Sequence, residues 1–95
     1  MPYTYPFTNA DEPTKREVFN RGSVADGYDS KLWRRDICGN MIKYSDHGNT
    51  NSNYGWEIDH KKPVALGGPT IIDNLQPLQW ENNRRKGDTY PWSCR

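Results

Sequence analysis

The stretch WEIDHKKPVALGGPTIIDNLQPLQWENNRRKGD, residues 56–88, decides the fold. Trp56, Ile58 and His60 alternate with Glu57 and Asp59, the period of two of a strand whose faces meet different surroundings. Pro63 stops that strand because it has no backbone donor to give a ladder. Leu66-Gly67-Gly68-Pro69 reads as loop, and Ile71 to Asn74 leads into a short second strand over Leu75 to Leu78. From Trp80 to Lys86 polar helix formers take over, and Gly87 stands where a glycine commonly ends a helix. Strand, long loop, strand, helix is an α+β order.

Working outward, residues 45–53 are dominated by Asn, Ser, Asp, Gly and Thr, which compete for local hydrogen bonds and form loop. His47 falls in this polar stretch and is expected at the surface. Trp33 to Cys38 is expected to meet Met41 to Tyr44 across a two-residue Gly39-Asn40 turn, giving an additional hairpin N-terminal to the α+β core. Asp29-Ser30-Lys31 reads as a turn. Pro13 to Asn20 fits a short helix with Pro13 in its first turn, although Val18-Phe19 leaves a strand open. The first dozen residues carry Pro, Tyr and Asn without a period and read as an extended arm. The chain thus divides into 1–28, arm and short helix, and 29–95, the functional part, in one compact domain.

Ninety-five residues are close to the lower limit for a self-sufficient core. Four Trp, six Tyr and two Phe point to an aromatic one. No apolar run approaches the roughly 20 residues that span a bilayer, and the N-terminus lacks an export pattern, so a cytoplasmic protein without membrane contact is expected. Cys38 and Cys94 are then expected as free thiols, with a disulfide the less favoured alternative. The formal charge of +1 is low for a protein that binds a polyanion. Clusters at Arg34-Arg35, Lys61-Lys62 and Arg84-Arg85-Lys86 would nevertheless make a basic rim if the fold gathers them.

Residues 59–86 hold the parts that phosphodiester hydrolysis needs: a base for water, a cation seat and groups that fix both. Asp59 offers an anionic oxygen and Asn83 a neutral one, hard ligands suited to one Mg²⁺ or Mn²⁺. His60, ordinarily titrating near 6.5, is neutral enough at physiological pH to accept a proton. Neighbours on a regular strand point to opposite faces, so Asp59 and His60 serve one phosphate only where the strand bends or bulges, and Lys61-Lys62-Pro63 is the place for that break. Asn74 can bridge backbone groups of the long loop and so orient His60. Asn83 and Lys86, three apart, share a helix face. Lys61, Lys62, Arg84, Arg85 and Lys86 are the candidate nucleic-acid contacts.

Asp59-His60, Gly67-Gly68, Asn74-Leu75 and Asn83 with Lys86, in that order, resemble the HNH nuclease family, in the variant with Asn at the third position. Trp33-Arg34-Arg35-Asp36, Cys38-Gly39 and Tyr54-Gly55-Trp56 extend the resemblance to small stand-alone members. It implies a ββα-metal domain in which Asp59 and Asn83 hold the cation, His60 is the catalytic base and Asn74 the catalytic-loop anchor, and it implies a metal-dependent endonuclease acting on DNA in preference to RNA. Many relatives carry two C-x-x-C pairs around zinc. The matching positions here are Cys38, Met41, Gln79 and Asn82, so a structural zinc is not expected. A non-catalytic nucleic-acid-binding module and a structural or interaction protein are the rival readings. Oligomeric state is open, though cutting two strands would suit a dimer or two successive nicks.

Overall fold

A computed structural model describes residues 11–94; of the dozen residues expected as an arm, the first ten lie outside them and the last two, Asp11 and Glu12, cap and open a helix. Helix α1, Glu12–Phe19, begins where the Asp11 side chain accepts a hydrogen bond from the Thr14 amide at 2.8 Å, with Pro13 in the first turn. Proline there gives up a donor that no helical carbonyl would have used. Beyond the helix the Arg34 guanidinium donates to the carbonyls of Asn20 and Gly22, so this arginine is spent on closing a chain reversal.

Strands β1, Trp33–Arg35, and β2, Met41–Lys43, pair antiparallel with Arg35 opposite Met41. The expected two-residue turn is instead a loop over residues 36–40. Its cause is Asp36, whose Oδ1 accepts from the amides of Cys38 and Asn40 at 3.0 and 2.9 Å. An acidic side chain that satisfies two loop amides wins over a tighter turn.

The second hairpin joins β3, Trp56–His60, to β4, Leu75–Gln79. It is regularly paired along its whole length, from Trp56 opposite Gln79 to His60 opposite Leu75. Helix α2, Trp80–Lys86, follows β4 at once, capped by the Gln79 side chain and closed by Gly87. The two hairpins form separate two-stranded sheets.

One face of β3 makes the core. Trp56 and Ile58 pack with Val18, Phe19, Ile42 and Leu75, flanked by Tyr44 and Ile72. The Phe19 ring lies 5.2 Å from Trp56 and 5.1 Å from Tyr44. Each such fully buried side chain contributes roughly 1.5–3 kcal/mol. The aromatic part of the core is thus Phe19 and Trp56 among aliphatic side chains, with Tyr44 at its edge, while Tyr28, Tyr54 and Tyr90 are exposed. The other face carries Glu57 and Asp59, both buried beneath α2.

Two expectations are corrected. Cys38 and Cys94 are joined in a disulfide, because the chain beyond α2 returns to the loop after β1; spacing in sequence could not show that meeting. His47 is partly buried, its ring 4.7 Å from that of Trp56, since a parallel bridge ties residue 47 to residue 56. Among the described residues no helix is long and apolar enough to cross a membrane.

Candidate active site

Asp59 on β3 and Asn83 on α2 both face the interface between these elements, which is built as two rungs. In the first, the Glu57 Oε1 accepts from the Asn83 Nδ2 at 2.7 Å, and the same carboxylate takes the guanidinium of Arg84 through both oxygens. In the second, the Lys86 Nζ donates to the Asp59 Oδ1 at 3.2 Å and to the His60 carbonyl at 2.9 Å. Residues 57 and 59 share a strand face and residues 83 and 86 a helix face, so the rungs stack along the interface. Gln76, opposite Asp59 on β4, donates to its Oδ2 at 2.9 Å.

Asp59, Asn83 and Lys86 are 1 %, 0 % and 3 % exposed, so this conformation closes the pair to solvent. Burial raises the Asp59 carboxyl above its ordinary range; the hydrogen bond from Gln76 and the Lys86 ammonium pull the other way. The Asn83 Oδ1 is buried and meets no donor among the described residues. An unsatisfied buried carbonyl costs on the order of 1–3 kcal/mol, and native proteins keep few of them.

His60 lies on the opposite face of β3 from Asp59. The bulge that would bring the two side chains to one face is absent, because the ladder stays regular as far as His60 opposite Leu75. The chain breaks one step later. There the Asn74 side chain accepts from the Lys62 amide at 3.0 Å and donates to the carbonyls of Lys62 and Pro69 at 3.0 and 2.8 Å. Gly68 is required in that bracket, since a Cβ there would sit 1.8 Å from the Lys62 oxygen. The loop so pinned sets the Thr70 hydroxyl 2.8 Å from the His60 Nε2. Burial lowers the His60 pKa below 6.5, with Asp59 opposing and Lys86 adding to the effect. The imidazole is therefore neutral at neutral pH.

The basic residues divide. Lys61 is exposed and Lys62 half-buried at the strand end. Arg84 is engaged by Glu57, and the Arg85 Nη1 donates to the Asn82 Oδ1 at 2.8 Å. Lys86 points into the protein, where a buried carboxylate and a strand-end carbonyl offer it more than solvent does.

Four residues of this arrangement escaped sequence reading. Glu57, Gln76 and Thr70 orient Asn83, Asp59 and His60 respectively. Alternation along β3 already places Glu57 on the face of Asp59, so its signal was present in part. The fourth, Asp36, receives the Gln79 amide and the Asn82 Nδ2 at 2.9 and 3.0 Å, tying the start of α2 to the first hairpin. Together with the Asn40 Oδ1, also bonded to Asn82, it knits the two segments where zinc-bearing relatives would place thiolates.

A strand hairpin with a bracketed loop, followed directly by a helix whose inner face meets an acidic strand face, defines a small α+β scaffold. The model of the HNH endonuclease family matches residues 36–89, more than half the chain, and the protein belongs to that family. No curated protein and no solved structure matches it.

Proposed function

We propose that the protein is a metal-dependent endonuclease that hydrolyses phosphodiester bonds of nucleic acid, DNA in preference to RNA. The observation that carries this reading is the buried Asn83 Oδ1 without a donor, on the same interface as the Asp59 carboxylate. An anionic and a neutral hard oxygen suit Mg²⁺ or Mn²⁺, so the residues present fit a divalent cation, with Asp59 and Asn83 as the groups that would hold it. A cation held there would draw charge from the phosphate and the leaving oxygen.

His60 serves as the base. Its depressed pKa keeps a ring nitrogen free of a proton at neutral pH, and Nε2 already stands at 2.8 Å from a hydroxyl oxygen, the separation at which an imidazole takes a proton from an O–H. A phosphate lying across the end of β3 would meet Asp59 on one face and His60 on the other. Lys86 must release Asp59 for that to happen, and its ammonium would then be available to a phosphate oxygen. Asn74 keeps the strand end and the Thr70 loop in register with His60, and Lys61, Lys62, Arg84 and Arg85 supply the surrounding positive charge.

A second reading, a nucleic-acid-binding module without catalysis, is favoured by one observation: the Lys86 ammonium fills the position beside Asp59. Incubation with plasmid DNA and Mg²⁺ or Mn²⁺, against a chelator control, separates the two. Nicked or linear product lost in His60→Ala, with Mn²⁺ affinity retained by titration calorimetry, is the expected result. An intact plasmid despite measurable DNA binding would establish the second reading.

A further inference from the structure

A cavity of about 450 Å³ opens between the chain beyond α2 and the β4 side of the site, within the range of about 300–1,000 Å³ that small-molecule sites occupy. Tyr90 and Trp92 form one wall and Ile37 another, while Lys61, Gln76 and Lys86 supply the polar lining. Two of these residues, Gln76 and Lys86, are the ones that hydrogen-bond the Asp59 carboxylate. The cavity is therefore the immediate neighbour of the candidate cation seat. Its aromatic wall is fixed in place, because Cys94 at its end is bonded to Cys38.

The lining combines aromatic faces with two lysines, and no carboxylate belongs to it among the described residues. That chemistry matches a nucleotide: a flat apolar base beside an anionic phosphate. A base inside a duplex has both faces stacked and its edge paired, so an aromatic wall can reach only a base that has left the stack. We propose that this cavity receives an unpaired base of the substrate, stacked on Trp92 and Tyr90, with Lys61 on its phosphate, and that the enzyme therefore selects single-stranded or flapped nucleic acid over continuous duplex. The assignment of substrate rests on the nuclease reading above; the binding preference does not.

The test is fluorescence anisotropy of the full chain with a labelled 20-nucleotide single strand and with the corresponding blunt duplex, in chelator so that no cleavage intervenes. The single strand is expected to bind at least tenfold more tightly. Trp92→Ala should weaken single-strand binding about tenfold, the order of one lost base–aromatic stack. Trp92→Phe, which keeps a stacking face and guards against a mere folding defect, should restore most of it. Tyr28→Ala, an exposed aromatic that packs on Trp33 outside the cavity lining, should change nothing. Equal affinity for both substrates overturns the proposal. So does a Trp92→Phe protein as weak as Trp92→Ala, or a dimer that Trp92→Ala converts to monomer, which would make the cavity a protein interface. Strand preference in a protein that leaves DNA intact with Mg²⁺ or Mn²⁺ would overturn the nuclease reading and keep the cavity's role. Cleavage without strand preference would do the reverse.

Discussion

Glu57 governs the direction of a neighbouring group without touching any reacting atom. A carboxylate has no donor, so the Asn83 amide must turn its Nδ2 toward Glu57 and its Oδ1 away. Glu57→Gln removes the charge that Arg84 pairs with and leaves the amide orientation undetermined. Loss of about 2–3 kcal/mol is expected, from a weakened pair whose acidic partner is buried, together with weaker Mn²⁺ binding by calorimetry. A variant that loses stability in urea titration yet keeps its Mn²⁺ affinity would remove Asn83 from the cation seat. His47 offers a second prediction at this scale. Burial, with Lys15 adding to it, lowers its pKa to about 4 from 6.5. Below pH 6.5 the unfolded chain takes up a proton that the folded one refuses, so stability falls as pH drops from 6.5 toward 4 and is unaffected by His47 above that window. His47→Phe keeps a ring on Trp56 and should flatten this part of the Tm profile between pH 4 and 7; a profile parallel to that of the parent would show that His47 does not titrate there.

Polar anchors join elements of this protein that lie far apart in sequence. Helix α2 starts at a glutamine cap and ends at a glycine, both local features. What fixes it against the first hairpin is Asp36, which accepts four hydrogen bonds, from Cys38, Asn40, Gln79 and Asn82. Asp36→Ala strands the Gln79 amide and one N–H of the Asn82 side chain in a buried place and removes the acceptor of two loop amides, at a cost of roughly 3 kcal/mol or more. In a domain of this size that corresponds to a drop in Tm of roughly 10–20 °C, readable by circular dichroism. A shift below about 3 °C would mean that the disulfide and core position α2 unaided. The two hairpins differ in the same way. The β3–β4 pair is set by alternation and by the Asn74 bracket, whereas the loop of the β1–β2 pair is set by one acidic side chain that also serves another element.

Taken as a whole, the molecule has few apolar residues to fold around: eight hydrophobic side chains are buried among the described residues, and a small domain with so limited a core needs further constraint. The Cys38–Cys94 bond spans 56 residues of sequence. Closing a loop of that length in the unfolded chain stabilises the native state by about 4 kcal/mol in the chain-entropy treatment, with 2–4 kcal/mol the common observed range. Denaturant titration with and without a thiol reductant should show a difference in unfolding free energy of that order, and coincident curves would assign the further constraint to the Asp36 hydrogen bonds alone.

Much of this was readable from residues close together in the chain. The span of α1, the alternation along β3, the stop at Gly87 and the bridging amide of Asn74 depend on partners within about fifteen positions, where backbone geometry leaves little choice. The Asp59-His60, Asn74-Leu75 and Asn83-Lys86 order belongs to the same class, which is why family and candidate site could be recognised together. The tertiary structure alone decided which groups answer one another over 26 to 56 positions: Glu57 with Asn83, Asp59 with Lys86, Asp36 with α2, and the two cysteines. Such pairings follow from how a helix rotates onto a sheet and where the last residues run. That packing is settled by the sum of many weak contacts, none of which is written at any single position.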